Sequence, residues 1–284
     1  MDPVTVIRSA QIVETTYGVP PSSLDNAAGK AITVAWGPSP AVEYAVITTI
    51  YANDLATDIR PERGKQRVSI GMVLQDTATG EGVIAIRGTE GIYEWLQDAA
   101  FLYVPCPVRG GAGMTDDGFT AMYKSFTILP DPGSPHLVAA LSTLPWRVPV
   151  TSVTVCGHSL GGAHAPLTAF DGAANAKLPK PRSFTYASPR TGDATFASAY
   201  DRRVPTTRRV VNRLDIVPQT PPAPLYEHVV GEMEINPIDL GPPPKVLVRT
   251  DLTCEHILTS YLHILTHKAG GPLLPLEATC TPLV

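Results

Sequence analysis

The chain has 284 residues, a formal net charge of −4 and a pI near 6.0, which give no reason to expect nucleic acid or an anionic membrane surface as partner. Its 44% hydrophobic content and mean hydropathy of +0.06 lie at the apolar end of ordinary soluble proteins, and only 17% of residues are charged, so a substantial apolar surface is expected. No apolar run reaches transmembrane length; the richest, residues 42–56, is interrupted by Glu43 and Asp54.

The first residues lack a basic segment followed by an apolar core and a small-residue cleavage site. The expected location is therefore cytoplasmic, or secreted with the signal already removed. Cysteines stand at 106, 156, 254 and 280 with no C-x-x-C, which argues against a metal site. Cys156 reads as buried and reduced, while spacing leaves a Cys254–Cys280 bridge and free thiols both open.

In chain order, residues 3–16 read as a helix, with Pro3 in its first turn and Val6, Ile7, Ala10 and Val13 on one face. A loop to about Ser39 follows, and then a long helical pattern from Pro40 through Asp58. Residues 68–75 and 82–87 read as strands joined by a hairpin-like turn. Beyond Arg87-Gly88-Thr89, the residues Ile92, Trp95, Leu96, Ala99 and Ala100 recur at helical spacing, so a short amphipathic helix ending in residues 101–105 is expected. Periodicity alone makes it a surface helix packed on the core; its place after the strand end makes a mobile lid over residues 90–104 the sharper reading. Further helices are expected over 117–123 and 137–144, 193–200 and 252–268, with strands over 183–187 and 208–214 and a further strand over 227–234. The alternation has no composition break. It predicts one α/β domain over 1–284, with helices on both faces of a mostly parallel central sheet.

The chemistry centres on Val153-Thr-Val-Cys-Gly-His-Ser-Leu-Gly-Gly162, a G-x-S-x-G between a β-run and a helix-forming run. Such a turn forces its middle residue into a strained conformation, with glycines two before and two after because a Cβ there would collide. Ser159 is thereby presented beside a helix N-terminus, whose N–H groups and dipole favour a developing oxyanion. A serine hydroxyl needs a base, and the base needs an orienting carboxylate. Asp215 stands at the end of the 208–214 strand, where the acid belongs, whereas Asp193 and Asp201 sit at a helix start and a helix end, where capping or solvation explains them. Among seven histidines, His158 points away from the serine, His164 lies in or under the following helix and His136 precedes the serine. His263 and His267 read as a surface pair, and spacing leaves His256 and His228 both open as the base.

The ordered set Arg87-Gly-Thr89 with Trp95 and Asp98, Gly118-Phe119 with Tyr123, Gly157-His-Ser-Leu-Gly-Gly162, residues 185–193 with Phe196, Asn212-Arg-Leu-Asp-Ile-Val-Pro218 and a late histidine before Tyr261 resembles the fungal-type triacylglycerol lipases, the class 3 branch of the α/β-hydrolase fold. The resemblance spans roughly residues 40–268. It implies Ser159, Asp215 and His256 as the triad, with His228 structural. It also implies Thr89 and the N–H of Leu160 as the oxyanion hole, and a lid carrying Ile92, Trp95, Leu96 and Phe101. Aspartates 116 and 117 replace the family's histidine before Gly118-Phe119, prolines near 130–135 interrupt the next helix, and the elbow helix reads Ala163-His-Ala-Pro166. Sparse cysteines imply a bacterial-type version.

The expected activity is hydrolysis of lipophilic acyl esters, triacylglycerols first, through an acyl-enzyme with no cofactor and no metal. The substrate would be a lipid ester met at an oil–water interface. The alternatives are an esterase for short-chain or feruloyl-type aryl esters and, from another class, a non-catalytic lipid-binding protein on the same fold.

Overall fold

The computed structural model of the protein describes residues 2–17, 28–36, 39–53, 67–88, 101–237, 252–277 and 280. The N-terminal helix α1 (Pro3–Tyr17) buries Val6, Ile7, Ala10 and Val13 on one side, as their spacing requires. The strands are β1 (Ala31–Trp36), β2 (Ser39–Asn53), β3 (Arg67–Asp76), β4 (Glu81–Ile86), β7 (Ser152–His158), β8 (Pro181–Tyr186), β9 (Thr206–Asn212) and β10 (Glu232–Ile235), in the spatial order β1-β2-β3-β4-β7-β8-β9-β10. Pairing is antiparallel from β1 to β4 and parallel from β4 to β10. A separate two-stranded ribbon pairs β5 (Tyr103–Pro105) with β6 (Met114–Asp116).

The remaining helices are α2 (Asp117–Lys124), α3 (Leu137–Ala140), α4 (Leu160–Asp171), α5 (Ala194–Arg203), α6 (Leu252–His256) and α7 (Leu258–Lys268). Side chains alternate across the sheet, which sets up two cores. From β4, Ile84 and Ile86 join Leu167 and Phe170 of α4, Phe119 of α2 and Phe196 of α5. Val83 and Ala85, one residue out of phase, join Ile7 and Val13 of α1 and Tyr261 and Leu265 of α7. The sheet therefore carries helices on both faces, in keeping with an α/β-hydrolase fold.

Two expectations fail at the start of the sheet. The stretch from Pro40 is strand β2, not a helix, and β1 occupies part of the expected loop. The cause is visible in the register. Shifts between Val46 and Thr48 and between Ile50 and Tyr51 break the two-residue alternation, so both Val46 and Ile47, and both Thr49 and Ile50, are buried. Apolar positions spaced across two bulges imitate a helical repeat. Residues 54–58 lie outside the described set.

The closing helix is also not continuous. Ile257, in extended conformation (φ −59°, ψ 144°), separates α6 from α7 and leaves His256 as the last residue of α6 rather than near the start of a long helix. The expected lid helix falls on residues outside the described set, except for its end. There Phe101 has a left-handed φ of 46°, and Tyr103 and Val104 belong to β5 instead of a helix. Cys254 and Cys280 form a disulfide, whereas Cys156 is a buried free thiol.

Candidate active site

The turn from β7 into α4 places Ser159 at φ 57° and ψ −125°, a conformation that costs about 1–3 kcal/mol and is held by its surroundings. Those surroundings demand glycine. A Cβ at Gly157 would come within 2.1 Å of the Gly161 carbonyl oxygen, and one at Gly161 within 2.2 Å of the Ile86 carbonyl oxygen. Only with both side chains absent can α4 pack against the ends of β4 and β7. Leu160 opens α4, so its N–H belongs to the first helical turn, which lacks intrahelical acceptors.

Ser159 Oγ lies 2.7 Å from His256 Nε2, and His256 Nδ1 lies 2.8 Å from Asp215 Oδ2. All three residues are buried. Asp215 accepts further hydrogen bonds from the Tyr261 hydroxyl to Oδ2 (2.8 Å) and from the Val217 N–H to Oδ1 (2.9 Å). Because a carboxylate only accepts, Nδ1 of His256 carries the proton, and Nε2 is left to accept from the serine hydroxyl. The arrangement can take a proton from Ser159 and hold the resulting imidazolium against Asp215.

His256 is fixed through its backbone neighbours. The side-chain amide of Asn212 donates to the Glu255 carbonyl (2.8 Å), while its own oxygen accepts from the Leu214 N–H (3.2 Å). The Tyr261 hydroxyl also accepts from the Asn212 N–H (3.0 Å), so one tyrosine ties β9 to the carboxylate beyond its end. Asn212 and Tyr261 stand in the sequence motifs, but their roles are visible only in this geometry.

Other histidines have structural partners. His228 donates from Nε2 to the Pro218 carbonyl (2.8 Å), and burial, with Arg209 nearby, lowers it to about 3. His164 is buried under Phe119 and Phe126 and lowered by desolvation to about 4. His263 bonds to the Leu274 carbonyl, away from the serine. His158 is not idle: its Nε2 lies 2.8 Å from the His256 carbonyl and its Nδ1 2.6 Å from the Tyr17 hydroxyl.

Near the expected lid, Tyr226 donates to the carbonyls of Phe101 (3.0 Å) and Leu102 (3.3 Å) and reaches Asp116 Oδ2 at 3.4 Å. Asp116 N-caps α2 by accepting from the Phe119 N–H (3.1 Å), and burial pushes its carboxyl up to about 6. Thr89, Ile92, Trp95 and Leu96 lie outside the described residues.

With this geometry in place, the profile of the family described as Lipase (class 3) matches residues 83–225, half of the chain. A phospholipase A1-II 6 of Oryza sativa subsp. japonica is 30% identical, with 94% of this chain and 76% of that protein covered. The chain belongs to the class 3 lipases. A lipase of Rhizomucor miehei is 31% identical over 65% of this chain and 50% of its own length. Among solved structures, the lipase from Rhizopus microsporus var. chinensis superposes with a TM-score of 0.51 at 28% identity, covering 70% of this chain and 63% of that one. The chain thus spans between half and three quarters of the length of these relatives. Its enzyme class is carboxylic ester hydrolase of the Ser–His–Asp type.

Proposed function

We propose that this class 3 lipase cleaves lipophilic acyl esters through an acyl-enzyme on Ser159. His256 acts as base and then acid, and Asp215 holds its tautomer. The carrying observation is the unbroken buried run from Ser159 Oγ through His256 to Asp215, with spacings of 2.7 and 2.8 Å. In the first step Ser159 Oγ bonds the ester carbonyl carbon as its proton passes to His256 Nε2. The collapsing tetrahedral intermediate expels the alcohol, which takes that proton. Water repeats the sequence to release the acid. The Leu160 N–H and Thr89, through its N–H and hydroxyl, are the donors to the oxyanion, and one donor of such a hole typically contributes about 2.7–4 kcal/mol.

Glycerolipid esters, triacylglycerol foremost, are the substrate class. The lid role that the family resemblance implies for Ile92, Trp95, Leu96 and Phe101 is part of this reading. Exposed apolar side chains near the site support an encounter at an oil–water interface: Leu102 beside Phe101, Leu225 beside Tyr226, and Leu214 and Ile216 flanking Asp215. The Cys254–Cys280 bridge supports action in an oxidising, extracytoplasmic setting. Among the described residues, no helix is long and apolar enough to cross a membrane.

The test is hydrolysis of p-nitrophenyl esters from acetate to palmitate, and fatty-acid release from triolein and phosphatidylcholine, by wild type and Ser159→Ala. We expect Ser159-dependent turnover that rises with acyl length. A steep fall beyond the shortest acyl chains would replace the lipase with a short-chain esterase. Activity undiminished in Ser159→Ala would refute the nucleophile.

A further inference from the structure

We infer that Tyr17, at the end of the N-terminal helix, is a positioning residue for catalysis, seating both the base and the strand end that enters the oxyanion hole through one hydrogen-bonded chain. The inference rests on the ester-hydrolase reading above. It concerns a residue outside the segment matched by the family profile, at the far end of the chain from His256.

The Tyr17 hydroxyl accepts from the Gly88 N–H (2.6 Å) and lies 2.6 Å from His158 Nδ1. His158 Nε2 lies 2.8 Å from the His256 carbonyl oxygen. The direction of every bond is forced. A carbonyl only accepts, so Nε2 of His158 carries the proton. Burial and the neighbouring His256 push His158 well below the usual histidine range, so its ring is neutral and Nδ1 must accept. The phenol proton is therefore spent on His158, and its lone pairs are left for the Gly88 N–H. Burial pushes the phenol up, which keeps that proton in place.

The polarity runs one way, from Gly88 N–H through Tyr17 and His158 to the His256 carbonyl, so each bond strengthens the next. Both ends of the chain meet the chemistry. Gly88 directly precedes Thr89 and is pinched between Tyr17 and Ser159: a Cβ on it would sit 2.7 Å from the phenol oxygen and 2.8 Å from Ser159 Cβ. The His256 carbonyl belongs to the residue whose ring bonds Ser159. His158 also lies ring to ring with both partners, at 5.8 Å from Tyr17 and 4.9 Å from His256. Helix α1, whose other residues fill the core below, thus delivers one hydroxyl that sets the spacing between base and oxyanion strand.

The decisive variant is Tyr17→Phe, which keeps the ring and removes the hydroxyl. With p-nitrophenyl butyrate well below the melting temperature, we expect kcat to fall roughly ten- to a hundred-fold with KM within about two-fold. That is the signature of a reacting group displaced by a fraction of an ångström, with the substrate surface intact. His158→Gln, measured alone and combined with Tyr17→Phe, should show that the double variant loses no more than the worse single one, since both break the same chain. An unchanged kcat in Tyr17→Phe, a loss confined to the melting temperature, or strictly additive losses in the double variant would overturn the inference while wild-type turnover still depends on Ser159. Absence of Ser159-dependent turnover in the wild type would instead refute the ester-hydrolase reading, and this inference with it.

Discussion

Asp116 carries a pH dependence that can be read out directly. The residue is only 2% exposed, its carboxyl caps α2 through the Phe119 N–H at 3.1 Å, and Asp117 stands beside it in sequence. Burial raises it from 3.8 to about 6, with Asp117 adding to the rise. A carboxyl whose folded value lies above its unfolded value binds more protons when folded. Its contribution to stability is therefore fully present below about pH 4 and is lost as pH rises through about 6. A gap of roughly two units corresponds to about 3 kcal/mol. Asp116→Asn keeps a capping oxygen but cannot ionise. Urea unfolding of both proteins from pH 4 to pH 8 should show the Asn variant gaining on the wild type by about 2.5 kcal/mol across that range, with most of the gain between pH 4 and 6. The difference cancels titrations common to both chains. A pH-independent difference, or a wild type that gains on the variant as pH rises, would refute the assignment.

Two further outcomes follow from the same bonds. Tyr261→Phe removes a donor to Asp215 and leaves the buried Asn212 N–H without its acceptor, so unfolding free energy should fall by about 1–3 kcal/mol and kcat roughly ten-fold. Unchanged kcat in a normally folded variant would show that Val217 and His256 suffice to hold the carboxylate. Replacing Cys254 and Cys280 together by serine opens a loop closed over a separation of 26 residues and should cost about 3.5 kcal/mol by loop-closure entropy. The urea midpoint should drop, and reductant should lower the wild type toward the variant; a midpoint indifferent to both would mean that the bridge restrains nothing in the unfolded chain.

The parts legible in the sequence are those fixed by local chemistry. Gly157 and Gly161 flank Ser159 because carbonyls of the turn and of β4 occupy the space a Cβ would need, so the pentapeptide reports its own geometry. Asp215 is legible because it follows a β-run and precedes Ile216-Val217-Pro218, a local break. Strand β2 misled because its bulges at Val46 and Ile50 rewrite the apolar spacing, and bulges belong to the pairing with β3 rather than to the strand itself. The choice between His228 and His256 is not local either. Both stand in the later part of the chain, and only the break at Ile257, with Asn212 gripping the Glu255 carbonyl, brings one of them over the serine.

The same reasoning explains why Tyr17 and His158 escape a linear reading. The Tyr17–His158 bond spans 141 residues and the His158–His256 bond 98, so neither leaves a spacing signature. His158 sits inside the elbow motif, where its identity reads as turn chemistry, and Tyr17 ends a helix whose visible pattern is simply apolar burial. Yet the sheet topology makes their meeting necessary. Helix α1 shares a core with β4, β7 and α7, the elements that run toward Gly88, lead into Ser159 and follow His256. A polar side chain at the C-terminus of α1 must then emerge among the N–H and carbonyl groups at those ends. Such groups, once buried, require partners. The helix that seals one face of the sheet is for that reason also placed to align the atoms above it, and a substitution in α1 that leaves the core filled can still reach the rate through Tyr17.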